Sequence, residues 1–243
     1  MPVRAVEKAI QPRHTTISTD VFDTILLRDH SVERDRFTTA CKRVAPILGV
    51  DPRTLVSLRR TVHALAYRAV AMERPTGDAS LASIDRTIAT AVGLGSDAAD
   101  ALRRVEVEVD AEHLHPNRPF LALLEGAAVR GIRIIAVSDT YYAENDLHRL
   151  FDLVLGQHPI HTVYASADVG LTKHSGALFH EVASREGLSG GDVLHVGDDP
   201  TADVRRAREA AWDAVHLPRD VRHRVVKLAG KASSLSRSIR GPR

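Results

Sequence analysis

The apolar positions of the chain follow two different periods, which divide it into two kinds of region. Between residues 31 and about 115 they recur every three or four residues, as at Leu55, Leu58 and Val62, and this spacing predicts amphipathic helices. The pair Asp51-Pro52 fits the start of one such helix, because Asp is a common N-cap and Pro is favoured at the first helical position. We therefore expect residues 30–115 to form a small bundle of helices.

The remainder of the chain alternates short β-branched runs with helical segments. The predicted strands lie within residues 15–19, 132–137, 161–165, 193–196 and 214–217. Helical spacing around residues 120–127, 177–184 and 202–210 completes an alternation that is typical of a parallel sheet with helices on both faces. The prediction is an α/β fold: a doubly wound, mostly parallel, Rossmann-like sheet built from residues 1–29 and 116–220, with the helical bundle inserted after its first strand.

Polar side chains follow three of these strands at the point where each strand ends. Asp20 follows the first strand, Ser138 the second, and Asp198 the strand at residues 193–196. In doubly wound sheets ligands bind at the carboxyl ends of the strands, so we expect these side chains to lie close together, with Lys173 beside them. Taken singly, each Asp or Ser is also a common turn or capping residue, and only the ordered set indicates a site.

These residue types suit the hydrolysis of phosphate esters. A carboxylate attacks phosphorus to give an aspartyl phosphate, which divides one difficult displacement into two steps. Because a phosphate dianion and a carboxylate repel each other, such a site needs a hard cation held by oxygen ligands. The negative charge that spreads over the transferred group calls for hydrogen-bond donors and cations, which Ser138 and Lys173 supply.

The same residues carry a resemblance to a known family. Four fragments occur in this order: Asp20-Val21-Phe22-Asp23-Thr24, then Ile134-Ile135-Ala136-Val137-Ser138-Asp139, then Lys173, then Gly197-Asp198-Asp199-Pro200-Thr201-Ala202-Asp203. They resemble the four signatures of the haloacid dehalogenase (HAD) superfamily of aspartate-nucleophile hydrolases, over residues 15–29 and 116–217. The inserted helices occupy the position of that family's helical C1-type cap, which closes over small soluble substrates.

The resemblance implies a Mg²⁺-dependent phosphatase that acts on a small phosphorylated metabolite through an aspartyl-phosphate intermediate on Asp20. The implied catalytic residues are Asp20, Asp23, Thr24, Ser138 and Lys173, and the implied substrate-binding residues are Arg28, Ser138, Asp139 and Lys173. The implied metal ligands are Asp20, Asp198 and the backbone carbonyl of Phe22, with Asp199 or Asp203 completing or bracing that shell.

Phe22 departs from the pattern of the family's phosphatases, which carry an acid two positions after the nucleophile. That acid protonates the leaving oxygen and contributes about 10²–10⁴-fold in rate, and phenylalanine cannot replace it. Because the family's dehalogenases carry an aromatic residue there, hydrolysis of a carbon–halogen bond is one alternative, and a catalytically weak module that binds phosphate or a partner is another. Asp23 fits a displaced acid and a turn residue equally well. A phosphorylated receiver domain fits less well, because its acidic pair precedes the phosphorylated Asp.

The composition also bears on the location, the cofactor and the partners to be expected. No apolar run approaches the about 20 residues that span a bilayer and no apolar signal segment begins the sequence, so we expect a cytoplasmic protein. The 13 histidines and single cysteine show no zinc-binding pattern, and Mg²⁺ is the cofactor that the resemblance implies. The net charge of +2 hides a basic tail at residues 221–243, for which disorder and contact with an acidic partner are both open. Aromatic residues make up only 4% of the chain, and nucleic acid is not an expected partner.

Overall fold

Five parallel strands form the central sheet of the computed structural model, which describes residues 2–219. In chain order the strands of the protein are β1 (Thr16–Thr19), β2 (Leu26–Arg28), β3 (Leu114–Pro116), β4 (Arg133–Ser138), β5 (Ile160–Ala165), β6 (Val193–Gly197) and β7 (Asp213–His216). The order across the central sheet is β5-β4-β1-β6-β7, and each neighbouring pair is parallel. The α/β fold class predicted from the alternating pattern is confirmed.

Helices connect the strands and form the insert. They are α1 (Pro2–Ala9), α2 (Glu33–Leu48), α3 (Pro52–Glu73), α4 (Leu81–Ala91), α5 (Ser96–Glu112), α6 (Arg118–Val129), α7 (Glu144–Val154), α8 (Ser166–Val169), α9 (Ala177–Glu186) and α10 (Arg206–Glu209). A 3₁₀ turn at Gly190–Asp192 precedes β6, and a π-helical turn at Pro200–Arg205 runs directly into α10. The described helices include none that is long and apolar enough to cross a bilayer.

Successive residues of β4 show why the sheet is covered on both faces. Ile134 packs in one hydrophobic cluster with residues of α6 and α7, whereas Ile135 packs in a second cluster with residues of α9. Adjacent residues of a strand point to opposite faces, so a strand that is apolar throughout is buried on both sides. The continuous apolar run at residues 132–137 therefore predicted an interior strand rather than a half-exposed one.

The segment between β2 and β3 contains four helices, α2 to α5, around a hydrophobic cluster of their own. Val44, Leu55, Ile88 and Val105 belong to this cluster, one from each helix. The carboxylate of Asp51 accepts a hydrogen bond from the Thr54 backbone N–H at 2.9 Å, so this residue caps α3 as its position before a proline predicted. The separate cluster explains why helical periodicity was visible here without any strand signal.

A short antiparallel ribbon joins the helical bundle to the core. Strand β2 leaves the core after the first motif, β3 returns to it, and the two pair directly with each other. Sequence analysis did not predict this pair, because three-residue strands separated by more than 80 residues leave no alternating pattern. The boundaries predicted for the bundle, residues 30 and 115, fall at this ribbon, and the predicted basic tail at residues 221–243 lies outside the described residues.

The bundle contacts the core loop that follows β4. The backbone N–H of Leu81 donates to the Tyr141 carbonyl at 2.7 Å, and the ring of His63 meets the Tyr141 ring edge-on with centroids 5.8 Å apart. The hydroxyl of Ser166, in the core, donates to the Asp78 carboxylate at 2.8 Å. These contacts set the bundle over the carboxyl ends of the strands, where the predicted site lies.

Candidate active site

The sheet order brings three of the predicted site residues together. Strand β1 lies between β4 and β6, and its last residue, Thr19, is in register with Ala136 and Val196. Asp20 directly follows Thr19, Ser138 ends β4, and Asp198 follows β6. The carboxyl ends of the three central strands thus carry the first, second and fourth motifs to the same edge of the sheet.

Lys173 connects two of the acidic residues. Its ammonium nitrogen lies 2.6 Å from Oδ1 of Asp20 and 2.6 Å from Oδ1 of Asp203, and only 2% of the residue is exposed. The hydroxyl of Thr24 donates to the other oxygen of Asp20 at 3.1 Å. Both oxygens of the predicted nucleophile are therefore held, which fixes the plane of the carboxylate before a substrate arrives.

Burial and charge shift the pKa values of this group in opposite directions. Burial raises the pKa of Asp20 to about 8, the nearby Asp203 and Asp198 add to the rise, and Lys173 opposes it. Burial alone would lower the pKa of Lys173, but Asp20 and Asp203 outweigh that effect and raise it, so the lysine remains an ammonium. The site accordingly holds one permanent cation among several carboxyl groups.

Asp203 makes further contacts that hold the acidic cluster in place. Its Oδ1 also lies 3.3 Å from Nε2 of His195, whose Nδ1 bonds the Ser18 hydroxyl at 2.8 Å, and its Oδ2 accepts from the Asp199 backbone N–H at 2.9 Å. Burial opposes ionisation of Asp203, but Lys173 and His195 hold its pKa below the usual range. Asp203 thus stays an acceptor that fixes both the lysine and the loop after β6.

Asp199 does not join the acidic cluster. Its Oδ1 accepts hydrogen bonds from the backbone N–H groups of Thr201 and Ala202, at 2.7 and 2.9 Å, and so caps the π-helical turn. A carboxylate engaged with the first free N–H groups of a helix is directed along that helix and away from the strand ends. Of the two residues predicted to complete or brace the metal shell, Asp203 lies in the acidic cluster and Asp199 caps the π-helical turn.

Asp20, Asp198 and Asp203 form a group that suits a divalent cation. One carboxylate oxygen from each of the three lies within 4.8 Å of the other two. All of the donors are oxygens, the ligand type that Mg²⁺ prefers over nitrogen or sulfur. The donor set therefore fits the Mg²⁺ that the motifs implied.

The second motif supplies one free donor and one structural anchor. The Ser138 hydroxyl is buried and has no hydrogen-bond partner among the described residues, so it is available to a bound group. The Asp139 carboxylate accepts from the backbone N–H groups of Lys173 and His174, at 2.6 and 3.0 Å. Asp139, predicted to bind substrate, positions the loop that carries Lys173 through these bonds.

Asp23 adopts a turn conformation in which its carboxylate contacts Arg28 and Arg219. Its φ of 61° lies in the left-handed region, which Asp tolerates better than most residues. The carboxylate accepts from the Arg28 backbone N–H at 3.3 Å and lies 3.6 Å from Nε of Arg219. Of the two roles that the sequence left open, these contacts support the turn residue and not the displaced acid.

A cavity of about 590 Å³ lies between the core and the helical bundle. Phe22 and Asp139 belong to its wall, so it adjoins both the first and the second motif. Arg28 also lines it, in a fixed position: its guanidinium pairs with both oxygens of Asp110, which a second arginine, Arg36, contacts through Nε at 2.7 Å. Arg28, predicted to bind substrate, is thus a half-buried residue of the cavity wall.

Comparison with protein families identifies the chain. A family model described as a hydrolase, haloacid dehalogenase-like hydrolase, matches residues 14–211, which is most of the 243-residue sequence. The chain belongs to the haloacid dehalogenase-like hydrolases. A search of curated proteins found no match for this hydrolase.

Solved structures of similar fold include both dehalogenases and a phosphatase. A 2-haloacid dehalogenase from Pseudomonas syringae pv. Tomato DC3000 is 19% identical with a TM-score of 0.56, over 83% of this chain and 85% of that one. An L-2-haloacid dehalogenase from Xanthobacter autotrophicus is 18% identical with a TM-score of 0.52, over 91% and 83%. A HAD phosphatase from Thermococcus onnurineus is 16% identical with a TM-score of 0.51, over 85% and 87%. At these identities the similarity establishes the fold of the hydrolase and not its substrate.

Two features of this hydrolase's site were not predicted from its sequence. His195 supports Asp203 from within β6, and its signal was a polar residue inside an otherwise apolar strand. Asp110, at the end of α5, fixes Arg28 from a helix of the bundle. No local pattern could have indicated that pair, because the two residues are 82 positions apart.

We expect Gly197→Ala to displace Asp203 and to lower the stability of this hydrolase. A Cβ at this position would overlap Cγ and Oδ2 of Asp203, so the aspartate or the strand end must move. We expect a loss of about 1–3 kcal/mol in the free energy of unfolding, measured in urea. Gly95→Ala, where φ is −91° and the Cβ meets open space, tests the effect of adding a methyl group elsewhere. An unchanged stability in Gly197→Ala would contradict the tight packing of Asp203.

Proposed function

We propose that the protein is a Mg²⁺-dependent phosphomonoester hydrolase that acts on a small phosphorylated metabolite through an aspartyl phosphate on Asp20. The observation that carries the proposal is the group of three carboxylates, Asp20, Asp198 and Asp203, with oxygens within 4.8 Å of one another and the Lys173 ammonium as the cation bonded to two of them. The excess of acidic groups over that ammonium favours a site completed by a divalent cation.

The charge balance supports a phosphate substrate. When Asp20 is ionised, as its attack on phosphorus requires, three carboxylates and one ammonium leave an excess of negative charge in a buried site, and a phosphoryl dianion would add two more charges. Bound by Asp20, Asp198 and the Phe22 carbonyl, Mg²⁺ would supply the compensating charge and polarise the phosphoryl oxygens. A site for an uncharged or singly charged substrate has less need for so many acidic groups.

In the first step an oxygen of Asp20 forms a bond to phosphorus, and the bond from phosphorus to the ester oxygen breaks. Lys173 and Thr24 hold the carboxylate in one plane, which favours in-line attack. The free hydroxyl of Ser138 donates to an equatorial phosphoryl oxygen, where charge accumulates in the transition state. The electron pair of the broken bond remains on the leaving oxygen.

In the second step water attacks phosphorus and releases phosphate and the Asp20 carboxylate. The water loses a proton as it attacks, and in related phosphatases the acid two positions after the nucleophile accepts it. Phe22 occupies that position here, and Asp23 is engaged by Arg28 and Arg219, so the proton passes to an oxygen of the released phosphate. Turnover of the intermediate is therefore expected to be slower than in phosphatases that carry the acid.

Hydrolysis of 2-haloacids is the second candidate function, and the aromatic residue at position 22 is the observation that favours it. Halide leaves without a proton, so the missing acid has no cost for that reaction. Two of the structures similar in fold are dehalogenases of haloacids. In this reaction Asp20 would attack carbon rather than phosphorus, and no divalent cation would be needed.

One experiment separates the candidates. Phosphate release from a broad panel of phosphomonoesters is measured with Mg²⁺ and with EDTA, and halide release from 2-haloacids is measured under the same two conditions. We expect phosphate release with Mg²⁺ that falls by at least about 10²-fold in EDTA, because the cation carries much of the charge stabilisation. Halide release that survives EDTA, with no phosphate release, would contradict the proposal in favour of dehalogenation. Binding of phosphate without either reaction would indicate a non-catalytic module.

A further inference from the structure

The wall of the cavity beside Asp20 is unusually aromatic for a chain with only 4% aromatic residues. Phe22, Tyr67, Tyr141 and Tyr142 all line it. The Phe22 and Tyr142 rings lie 5.9 Å apart with an interplanar angle of 35°, and the Tyr142 and Tyr141 rings lie 4.6 Å apart at 33°. Three rings thus form a continuous row that begins two residues from the nucleophile, and such a row suits a planar apolar group.

The acidic groups of the same wall are poorly suited to protonate a leaving oxygen. Burial opposes the effect, but hydrogen bonds from Ser31 and His113 lower the pKa of Asp29 to about 2, so it remains ionised. Asp139 accepts two backbone N–H groups, and Asp78 accepts from Ser166 and from the Ala79 N–H at 2.8 Å each. These carboxylates are fixed as acceptors.

Tyr141, Tyr142 and Glu33 are further ionisable groups of this wall, which also contains His30 and Tyr67. Burial raises the pKa of Tyr141 and of Tyr142 well above the ordinary value, which makes both hydroxyls weaker acids. Glu33 is the one other carboxyl group among the described lining residues, and it is exposed on α2. Its replacement tests whether Glu33 itself acts as a proton donor.

A fixed cation, the Arg28 guanidinium, lies beside the ring of Phe22. The Arg28 guanidinium carbon is 5.1 Å from the centre of the Phe22 ring, and the pairing of its two nitrogens with Asp110 restricts its motion. Arg36 contacts the same carboxylate, so Asp110 is shared by two guanidinium groups, each of which carries a positive charge. Such a charge stabilises an oxyanion without transferring a proton.

We propose that the natural substrates are small aryl phosphates, whose leaving group departs as an aryloxide against the row formed by Phe22, Tyr142 and Tyr141, with its charge stabilised by Arg28. This inference rests on the proposed phosphatase function and names its substrate class. The Asp20–phosphorus bond forms, the phosphorus–oxygen bond breaks, and both electrons of that bond leave on the aryl oxygen. The aryloxide takes its proton from water after release, so no acid is required in the site.

The test is the dependence of kcat/KM on the acidity of the leaving alcohol. A series of substituted phenyl phosphates and a matched alkyl series, such as benzyl phosphate, are compared with Mg²⁺ present. We expect kcat/KM to fall by roughly tenfold for each one to two units of increase in leaving-group pKa, because charge develops on an oxygen that receives no proton. The benzyl ester, which is similar in shape, should then be slower by at least about 10³-fold.

Variants at position 22 make the test specific. Phe22→Asp restores an acid and is expected to flatten the dependence on leaving-group pKa, whereas Phe22→Leu, which has neither acid nor ring, should keep the steep slope and raise KM for aryl esters. Glu33→Gln should leave the slope as it is. Circular dichroism establishes that each variant is folded.

Three outcomes would overturn the inference. Benzyl phosphate that reacts as fast as phenyl phosphate would show that the site protonates its leaving group, and a slope that becomes steeper in Glu33→Gln would identify Glu33 as the donor. A steep slope that Phe22→Asp leaves unchanged would remove position 22 from the explanation. In each of these cases esters are still hydrolysed, so the phosphatase proposal stands; release of phosphate from no ester would instead contradict that proposal itself.

Discussion

Asp20→Asn should lower the rate of ester hydrolysis by about 10³-fold or more while the protein keeps its fold. The amide has nearly the shape of the carboxylate, and its carbonyl oxygen can still accept from the Lys173 ammonium that lies 2.6 Å from Oδ1. It is a far weaker nucleophile, so the covalent step is lost rather than the binding of substrate. The measurement is kcat with saturating Mg²⁺, and intact mass excludes conversion of the Asn back to Asp.

Thr24→Val is the control for the loss of activity in Asp20→Asn. Thr24→Val removes only the hydrogen bond to Oδ2 of Asp20 and should reduce kcat by a smaller factor, about tenfold, because the nucleophile remains. Activity in Asp20→Asn above about one tenth of that of the unchanged protein would eliminate Asp20 as the nucleophile. It would also remove the common basis of the phosphatase and dehalogenase candidates, which both require this carboxylate.

Asp20→Asn also changes how the stability of the protein depends on pH in the absence of metal. Burial raises the pKa of Asp20 to about 8 from an ordinary value of 3.8. A carboxyl group whose pKa is raised by folding stabilises the native state fully below its unfolded pKa, and that contribution is lost as the pH rises through the folded value. We therefore expect Asp20→Asn, measured in EDTA, to lose less stability than the unchanged protein between about pH 4 and about pH 8.

Lys173→Met should cost about 3–5 kcal/mol in the free energy of unfolding and abolish activity. The ammonium is the cation that bonds both Asp20 and Asp203, and its removal leaves two buried carboxyl groups without their partner. Methionine has a similar length, so the packing of the stem is retained. Urea unfolding measures the loss, and Lys42→Met, at an exposed position on α2, controls for the change of residue type.

The pH dependence distinguishes lost charge compensation from lost packing. Without the ammonium, the pKa of Asp203 rises from below its usual range and that of Asp20 rises above about 8. The native variant then holds protons that the unfolded chain has released, so its stability falls as the pH rises. The deficit of Lys173→Met should therefore be smaller near about pH 5 than near about pH 8. A deficit that does not change with pH would indicate that the lysine stabilises the protein through its hydrocarbon stem alone.

Some parts of the architecture were determined by local pattern. A parallel strand buried on both faces must be apolar along its whole length, as β4 is, so period and composition alone located it. The cap of α3 was equally local, because Asp51 and Thr54 are only three residues apart. The order of polar residues after successive strands indicated a site at the carboxyl edge of the sheet, since strand ends in such sheets share one edge.

Other features depended on pairs that are distant in the chain. The β2–β3 ribbon joins strands that are more than 80 residues apart, and the capping role of Asp199 became visible only with the path of the loop after β6. Asp23 shows the limit most clearly: the sequence left a displaced acid and a turn residue as equal interpretations. Its left-handed φ and its contact with Arg219, which fit the turn residue, became visible only in the tertiary structure.

By itself the sequence determined the fold class, the edge of the sheet that carries the site and the types of residue present there, because each of these follows from period, strand ends and order along the chain. The tertiary structure decided which carboxylates meet: Asp203 with Lys173 and His195, Asp199 with a helix end, and Asp110 with Arg28. Direction and distance between side chains depend on how elements pack, and residues from separate elements acquire them only when the sheet and the helical bundle are assembled.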